Sequence, residues 1–368
     1  MGWSYSHFIG HSYTSCLNCH YNPLGGGPIN DYGRVVGATA IASGALYPES
    51  VTEEQVSHMS GFLFRKPKQQ WFRTQLSYRG FQIVRSPGST KAETKTWLNM
   101  QADARLILKF GENDKYLAVA NYGNSPLPVP PKPGQDKEWK SREYYLGYRY
   151  SPALGVYAGL MDKAYGLRVI EHISSSRTQP QVAQDDQVHG VMGHVTAGKW
   201  EGAGHAFVGN LDYEPELRMK GGSFTFERTI AEIHRLGASF QQARNDQTEL
   251  QAYAGHARLN LKDGSALLME LGQTKQTPTN GTPERNARYG LLQTYLRPMR
   301  GLYFLTNIDY LRQNLDLEAY SVRWGPGVQY FPIQKLELRF DVFNSRSFDP
   351  KTSTGDSWMY LLQTHVWL

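Results

Sequence analysis

The sequence predicts an all-β protein. It is read as an antiparallel β-barrel of about sixteen strands, preceded by a small N-terminal segment containing short helices. Three observations carry that expectation. From about residue 68 the apolar residues recur with a period of two. The connections between the alternating runs are short and long by turns. The last run keeps its alternation to residue 368. The chain is divided accordingly into a segment 1–66 and a barrel 67–368.

The N-terminal segment holds both of the chain's cysteines in one stretch, Cys16-Leu17-Asn18-Cys19-His20. This is C-x-x-C-H, a spacing that suits covalent haem attachment. The two thiols add to the haem vinyl groups, and the next residue supplies an imidazole to the iron. One covalent haem c is therefore expected on Cys16, Cys19 and His20. Two other readings compete. A redox pair wants a helix start after a strand, and no βαβ pattern surrounds the motif. A zinc site needs two more ligands, which His7 and His11 would supply. For the sixth position on the haem iron the candidates are His11 and then His7, both just upstream; His58 and Met59 are more remote.

The residues that follow suit a haem shell. Asn22-Pro23-Leu24-Gly25-Gly26-Gly27-Pro28 reads as a tight loop without helix. Its glycines would let backbone approach a porphyrin closely. Arg34 is the best candidate partner for a haem propionate, the alternative being a plain surface turn over 30–34. Residues 35–46 are rich in small side chains and predict a short helix. A second helix start is marked by Thr52 and Gln55 at capping-box spacing. A unit of this size buries too little surface to stand alone.

The strands are expected at 69–84, 95–110, 115–123, 141–151, 154–163, 186–199, 203–213 and 221–229, then 234–244, 248–261, 265–275, 286–297, 301–313, 318–330, 334–345 and 356–368. Residues 97–110 illustrate the pattern. Leu98, Met100, Ala102, Ala104, Leu106, Leu108 and Phe110 fall on one face; Trp97, Asn99, Gln101, Asp103, Arg105, Ile107 and Lys109 fall on the other. Residues 335–342 set Leu336, Leu338, Phe340 and Val342 against Lys335, Glu337, Arg339 and Asp341. Segment 221–229 is the weakest strand by pattern, and is retained because dropping it would spoil the alternation of connections.

A soluble sandwich would alternate as well. The connections separate the two readings. Every even-numbered one is short, among them 111–114, 151–153, 200–202, 230–233 and 262–264. The odd-numbered ones are mostly long and polar, including 124–140, 164–185 and 276–285. Short turns on one side and long loops on the other belong to a transmembrane β-barrel. An even strand count puts both termini on the side of the short turns. No stretch approaches the ~18 apolar residues of a spanning helix, and mean hydropathy is −0.52. The net charge is +6 without a basic run, so no nucleic-acid partner is expected.

The final strand presents Trp358, Tyr360, Leu362, Thr364, Val366 and Leu368 on one face. It resembles the terminal strand by which bacterial outer-membrane barrels are recognised for assembly, except that Leu rather than an aromatic residue ends the chain. As a whole the sequence resembles a porin-type outer-membrane barrel with an N-terminal monohaem cytochrome c motif, similar to the porin–cytochrome proteins of Gram-negative bacteria. That resemblance implies an outer-membrane location with periplasmic N and C termini, contact with outer-membrane lipid, and redox proteins of the periplasm or outer membrane as partners. A trimer is common among wide porins, so an oligomer is possible. The chain opens MGWSYSHF without a charged-then-apolar leader, and the leader is then read as cleaved.

The function expected is electron transfer at the outer membrane. The alternative is a channel whose haem segment is a structural plug or a redox-sensitive gate. No enzyme activity is expected, because a histidine in the sixth position leaves no open site on the iron. The remaining histidines, His189, His194, His205, His256 and His365, are read as lumen or girdle residues; His194 and His256, if they point inward, are secondary candidates for reaching the haem.

Overall fold

The computed structural model describes residues 6–67, 71–86, 93–127, 137–171, 173–350 and 355–368. Seventeen strands form one sheet: β1 (Phe72–Ser86), β2 (Thr94–Phe110), β3 (Tyr116–Asn124), β4 (Trp139–Lys140), β5 (Tyr144–Ser151), β6 (Leu154–Met161), β7 (Val188–Ala197), β8 (Trp200–Phe207) and β9 (Lys220–Ile230), then β10 (His234–Arg244), β11 (Thr248–Asn260), β12 (Ala266–Pro278), β13 (Arg285–Met299), β14 (Leu302–Arg312), β15 (Tyr320–Tyr330), β16 (Leu336–Phe348) and β17 (Gly355–Trp367). β4 and β5 both pair with β3 and make a single stave. The result is a closed antiparallel barrel of sixteen staves, because β1 pairs with both β2 and β17. Closure gives every strand two neighbours, which a wall facing hydrocarbon requires. The weakest predicted strand, 221–229, is β9, paired on both sides.

Alternation sorts the side chains as the sequence implies. Leu106, Phe304, Phe340 and Leu362 are exposed on the outer face, while Arg105, Glu337, Arg339 and Asp341 are buried on the inner one. Lumen charges pair across the wall: Arg142 meets Asp103 at 2.6 Å and Arg323 meets Asp309 at 2.9 Å.

Four features differ from expectation. In β2, Arg79 pairs with Gln101 and Gly80 with Asn99, so Met100 has no partner on β1. This bulge reverses the face of everything beyond it: Met100 is buried and Trp97 exposed, and Leu98 and Met100 line a lumen cavity with Arg339 and Asp341. The stave predicted at 141–151 is broken at 141–143, because the Asn121 side chain accepts from the backbone N–H groups of Arg142 and Glu143. The turn predicted at 200–202 lies instead at Gly198-Lys199, with Gly198 at φ +59°, which puts Glu201 on the wall. Finally, the connection predicted as the outer loop 164–185 folds into the lumen. Its Ser175 N–H reaches Asp309, its Leu167 N–H reaches Glu270, and Glu171 pairs with Arg339. Buried wall charges that gain further partners from the loop hold it there. The 124–140 connection falls partly outside the described residues.

The N-terminal segment carries α1 (Asp31–Val36), which continues into a π-turn to Ile41, and α2 (Glu53–His58), whose Thr52–Gln55 capping box forms as expected. Among the described residues its apolar side chains form no cluster of their own. Ile9, Ile41 and Ala42 pack on Leu268, Tyr295, Tyr303, Leu305 and Phe331 of the wall and on Leu167 and Val169 of the inward loop. Among the described residues no helix is long and apolar enough to cross a membrane.

Candidate functional site

Residues 10–16 climb the inner face of β11. The Gly10 carbonyl accepts from the Gly264 N–H in the turn below (3.1 Å), Ser12 Oγ accepts from Asn260 (3.2 Å), and the Thr14 carbonyl accepts from Arg258 (2.9 Å). Ser15 Oγ then donates to Glu201 at 2.7 Å and caps a 3₁₀ turn, Cys16–Asn18. In that turn the N–H groups of Cys19 and His20 both point to the Cys16 carbonyl, at 3.2 and 3.0 Å. One tight turn therefore carries both thiols and the imidazole, and neither thiol is in a disulfide.

Asn30 fastens this turn to α1. Its Oδ1 accepts from the Gly33 N–H (2.8 Å), and its Nδ2 donates to the carbonyls of Leu17 and Asn18, each at 3.1 Å. Gly33 lies so close to Cys19 that a Cβ there would overlap its carbonyl and come within 2.7 Å of its Cα. His20 bridges to Ile29, and the loop between them turns on Gly25 and Gly27 at φ +75° and +68°. The glycines bring this loop against wall and inward loop alike: Gly27 abuts the Glu143 carboxylate, and Gly26 abuts Arg168 and Asp162.

The His20 ring is buried, and its Nδ1 has no hydrogen bond. Burial pushes its pKa down to about 4, Arg168 pushes the same way, and the Pro28 carbonyl opposes them. The imidazole is thus neutral near pH 7, the form that binds a metal. Burial, then the neighbouring Cys16, pushes the Cys19 thiol up to about 12. A reactive redox cysteine has its pKa lowered, not raised.

Beside Cys16 is a narrow cavity of about 60 Å³. The segment contributes Cys16, Pro23 and Leu24, the inward loop Lys163 and Arg168, and the wall His194, His256 and Arg258. A c-type haem requires two thiols one turn apart, a neutral imidazole, apolar contact, and cations for two propionates. The donor types present fit that group, with two carboxylates, Glu201 and Glu227, among them; the cavity itself is narrower than a porphyrin.

The other predicted residues lie elsewhere. His7 stacks on Tyr295 with ring centroids 3.9 Å apart, and His11 Nε2 bonds the Tyr303 hydroxyl at 2.9 Å. Both are held by the wall, and neither lines the Cys16 cavity. Among the described residues no three His, Cys, Asp or Glu side chains converge to hold a metal ion, so the zinc arrangement through His7 and His11 is not formed. Arg34 bonds Ser60 and lies 3.7 Å from Asp31, in a separate groove with Phe62 and Lys335. His58 is exposed at the end of α2. Two of the cations that line the cavity, Lys163 and Arg168, have no signal in the sequence, because nothing in the period of residues 162–187 marks a loop that turns inward.

No protein-family model matches this sequence, and no curated protein matches it. Among solved structures the fold is similar to OmpT, in-vitro folded, an outer membrane protein of Vibrio cholerae (TM-score 0.63, 9% identity, 82% of this chain and 99% of that one). OmpT has also been solved in a trimer form (TM-score 0.60, 8% identity, 81% of this chain and 100% of that one). The fold is similar too to the anion-selective porin from Comamonas acidovorans (TM-score 0.59, 9% identity, 81% of this chain and 99% of that one). A further likeness is to the outer membrane channel DcaP of Acinetobacter baumannii (TM-score 0.58, 9% identity, 84% of this chain and 99% of that one). At such identities the likeness establishes the fold, a porin-type barrel of sixteen strands.

Proposed function

We propose that this porin-type barrel resides in the bacterial outer membrane and carries one covalent haem c, through which it exchanges electrons with redox proteins of the periplasm or outer membrane. One observation carries the proposal: the C-x-x-C-H turn, with its neutral buried imidazole, places Cys16 on a lumen cavity that holds Lys163, Arg168 and Arg258 alongside Glu201 and Glu227. Cys16 and Cys19 would hold the haem by thioether bonds and His20 would be its proximal ligand. When bound, the group supplies one-electron transfer. The chain's own part is to exclude water with Leu24 and the inward loop, and to offer Lys163, Arg168 and Arg258 to the propionates.

Residues 1–66 then form a haem-bearing plug, with both termini periplasmic. A single haem ring is far shorter than the ~30 Å hydrocarbon layer, so the reading requires partners with further cofactors. Haem staining of the outer-membrane fraction, followed by a reduced-minus-oxidised spectrum, tests it. A stained band at the mass of the barrel that disappears with Cys16→Ala is the expected result. Colourless material with two titratable thiols would overturn it.

A second reading has its own support. The apolar contacts of Ile9, Ile41 and Ala42 with the wall suit a plug or redox-sensitive gate in a channel, with trimers among the possible assemblies. Planar-bilayer conductance that rises on deletion of residues 1–65, or that changes on reduction, would favour it.

A further inference from the structure

Building on the haem reading, we propose that the sixth iron ligand is His256 on the barrel wall, with Glu227 as the group that orients its ring. The climb along β11 is the first support. Segment and wall advance together, Ser12 to Asn260 and Thr14 to Arg258. The inward residues of a strand alternate, so His256 follows Arg258 on the inner face of β11, where the segment reaches Cys16 and its 3₁₀ turn. Cys16 and His256 line the same cavity.

The state of the ring is the second support. The His256 side chain is 1% exposed, and its Nδ1 is buried without a hydrogen-bond partner. Its Nε2 faces the Glu227 carboxylate at 3.4 Å, and that carboxylate is itself held by Arg258 and by Arg235 at 3.1 Å. An imidazole with one nitrogen on an anchored carboxylate and the other left for a ligand is the arrangement of a metal-binding histidine. The ring has a prepared seat: it lies over Gly237, its register partner on β10, where a Cβ would collide with Nε2.

The upstream histidines are committed elsewhere, His7 to Tyr295 and His11 to Tyr303. His194 also lines the cavity, but its Nε2 shares a Glu201 oxygen with Ser15. It is the rival.

The test uses the full chain in detergent. Wild type is expected to be low-spin with two imidazole ligands by optical and electron paramagnetic resonance spectra. His256→Ala should keep its covalent haem stain but turn high-spin, bind carbon monoxide when reduced, and regain the low-spin spectrum with added imidazole. His256→Met, which retains a side chain of similar bulk, should stay low-spin with a raised potential. A low-spin spectrum that survives His256→Ala, or a wild type that is already high-spin, overturns the assignment and leaves the haem reading standing; His194→Ala and His11→Ala then identify any other ligand. Colourless wild type removes both.

Discussion

His20 sits where a protonated imidazole would be costly. Its surroundings are buried and the nearest charge acting on it is Arg168. In a protein with both cysteines replaced by alanine, the ring has no haem to bind and only its acid behaviour remains. An unfolded imidazole takes its proton near pH 6.5, whereas this one waits until about 4. Between those values the undocked chain binds more protons, so the docked state loses stability as pH falls. The loss is fully developed at about pH 4 and is on the order of 3 kcal/mol for His20. His11, also pushed down to about 4 by burial, adds less because its ring is partly exposed. Limited proteolysis of residues 1–66 should therefore accelerate from pH 6.5 towards 4 and stay constant above 7. A rate independent of pH across that window would contradict the burial described. Gly33→Ala should be equally local. The added methyl group meets Cys19 backbone, and overpacking of this kind costs about 1–3 kcal/mol. The expected result is a lower haem-stained fraction with the barrel's unfolding midpoint unchanged.

At the scale of elements, the inward connection between β6 and β7 matters most. Its docking rests on buried pairs, Glu171 with Arg339 and Asp162 with Arg168. Removing one partner of a buried pair strands the other, at a cost of about 3–5 kcal/mol. Glu171→Gln leaves Arg339 with Asp341, 2.8 Å away, so its effect should fall below that range. Asp162→Ala takes from Arg168 the carboxylate it is paired with and should be the stronger variant. Protease cleavage within 163–187 and single-channel conductance should rise in the order wild type, Glu171→Gln, Asp162→Ala; the reverse order would show that these pairs do not hold the loop. The β2 bulge is a second element-level device. Deleting Met100 would restore pairing but turn the residues beyond it to the opposite face, exposing Leu98 to lipid and burying Trp97.

For the whole molecule, closure is decisive. Leu76 and Leu368 exchange backbone hydrogen bonds at 3.2 and 2.8 Å, joining the first stave to the last residue of the chain. Truncation at 355 removes β17 and leaves two open edges, β1 and β16, which a bilayer does not tolerate. The truncated chain should give no heat-modifiable folded band on a gel, while the full chain does. Packing at this scale also explains why the N-terminal segment needs the barrel: its buried Ile9, Ile41 and Ala42 share one apolar cluster with the wall.

The sequence by itself determined the stave count, the sorting of Arg105, Glu337 and Arg339 from Leu106, Leu338 and Phe340, and the close grouping of Cys16, Cys19 and His20. Each depends on spacing over a few residues, where a period of two or a single turn leaves one geometry. The tertiary structure alone decided the face of Leu98 and Met100, the position of Glu201 on the wall, the inward path of 162–187, and the placing of His256 rather than His11 beside the cysteine cavity. Those outcomes depend on pairings between residues far apart in the chain, 244 positions for Thr14 and Arg258 and 292 for His11 and Tyr303. They are settled by which buried charges and hydrogen-bonding groups find partners across the lumen, and local pattern carries no record of that.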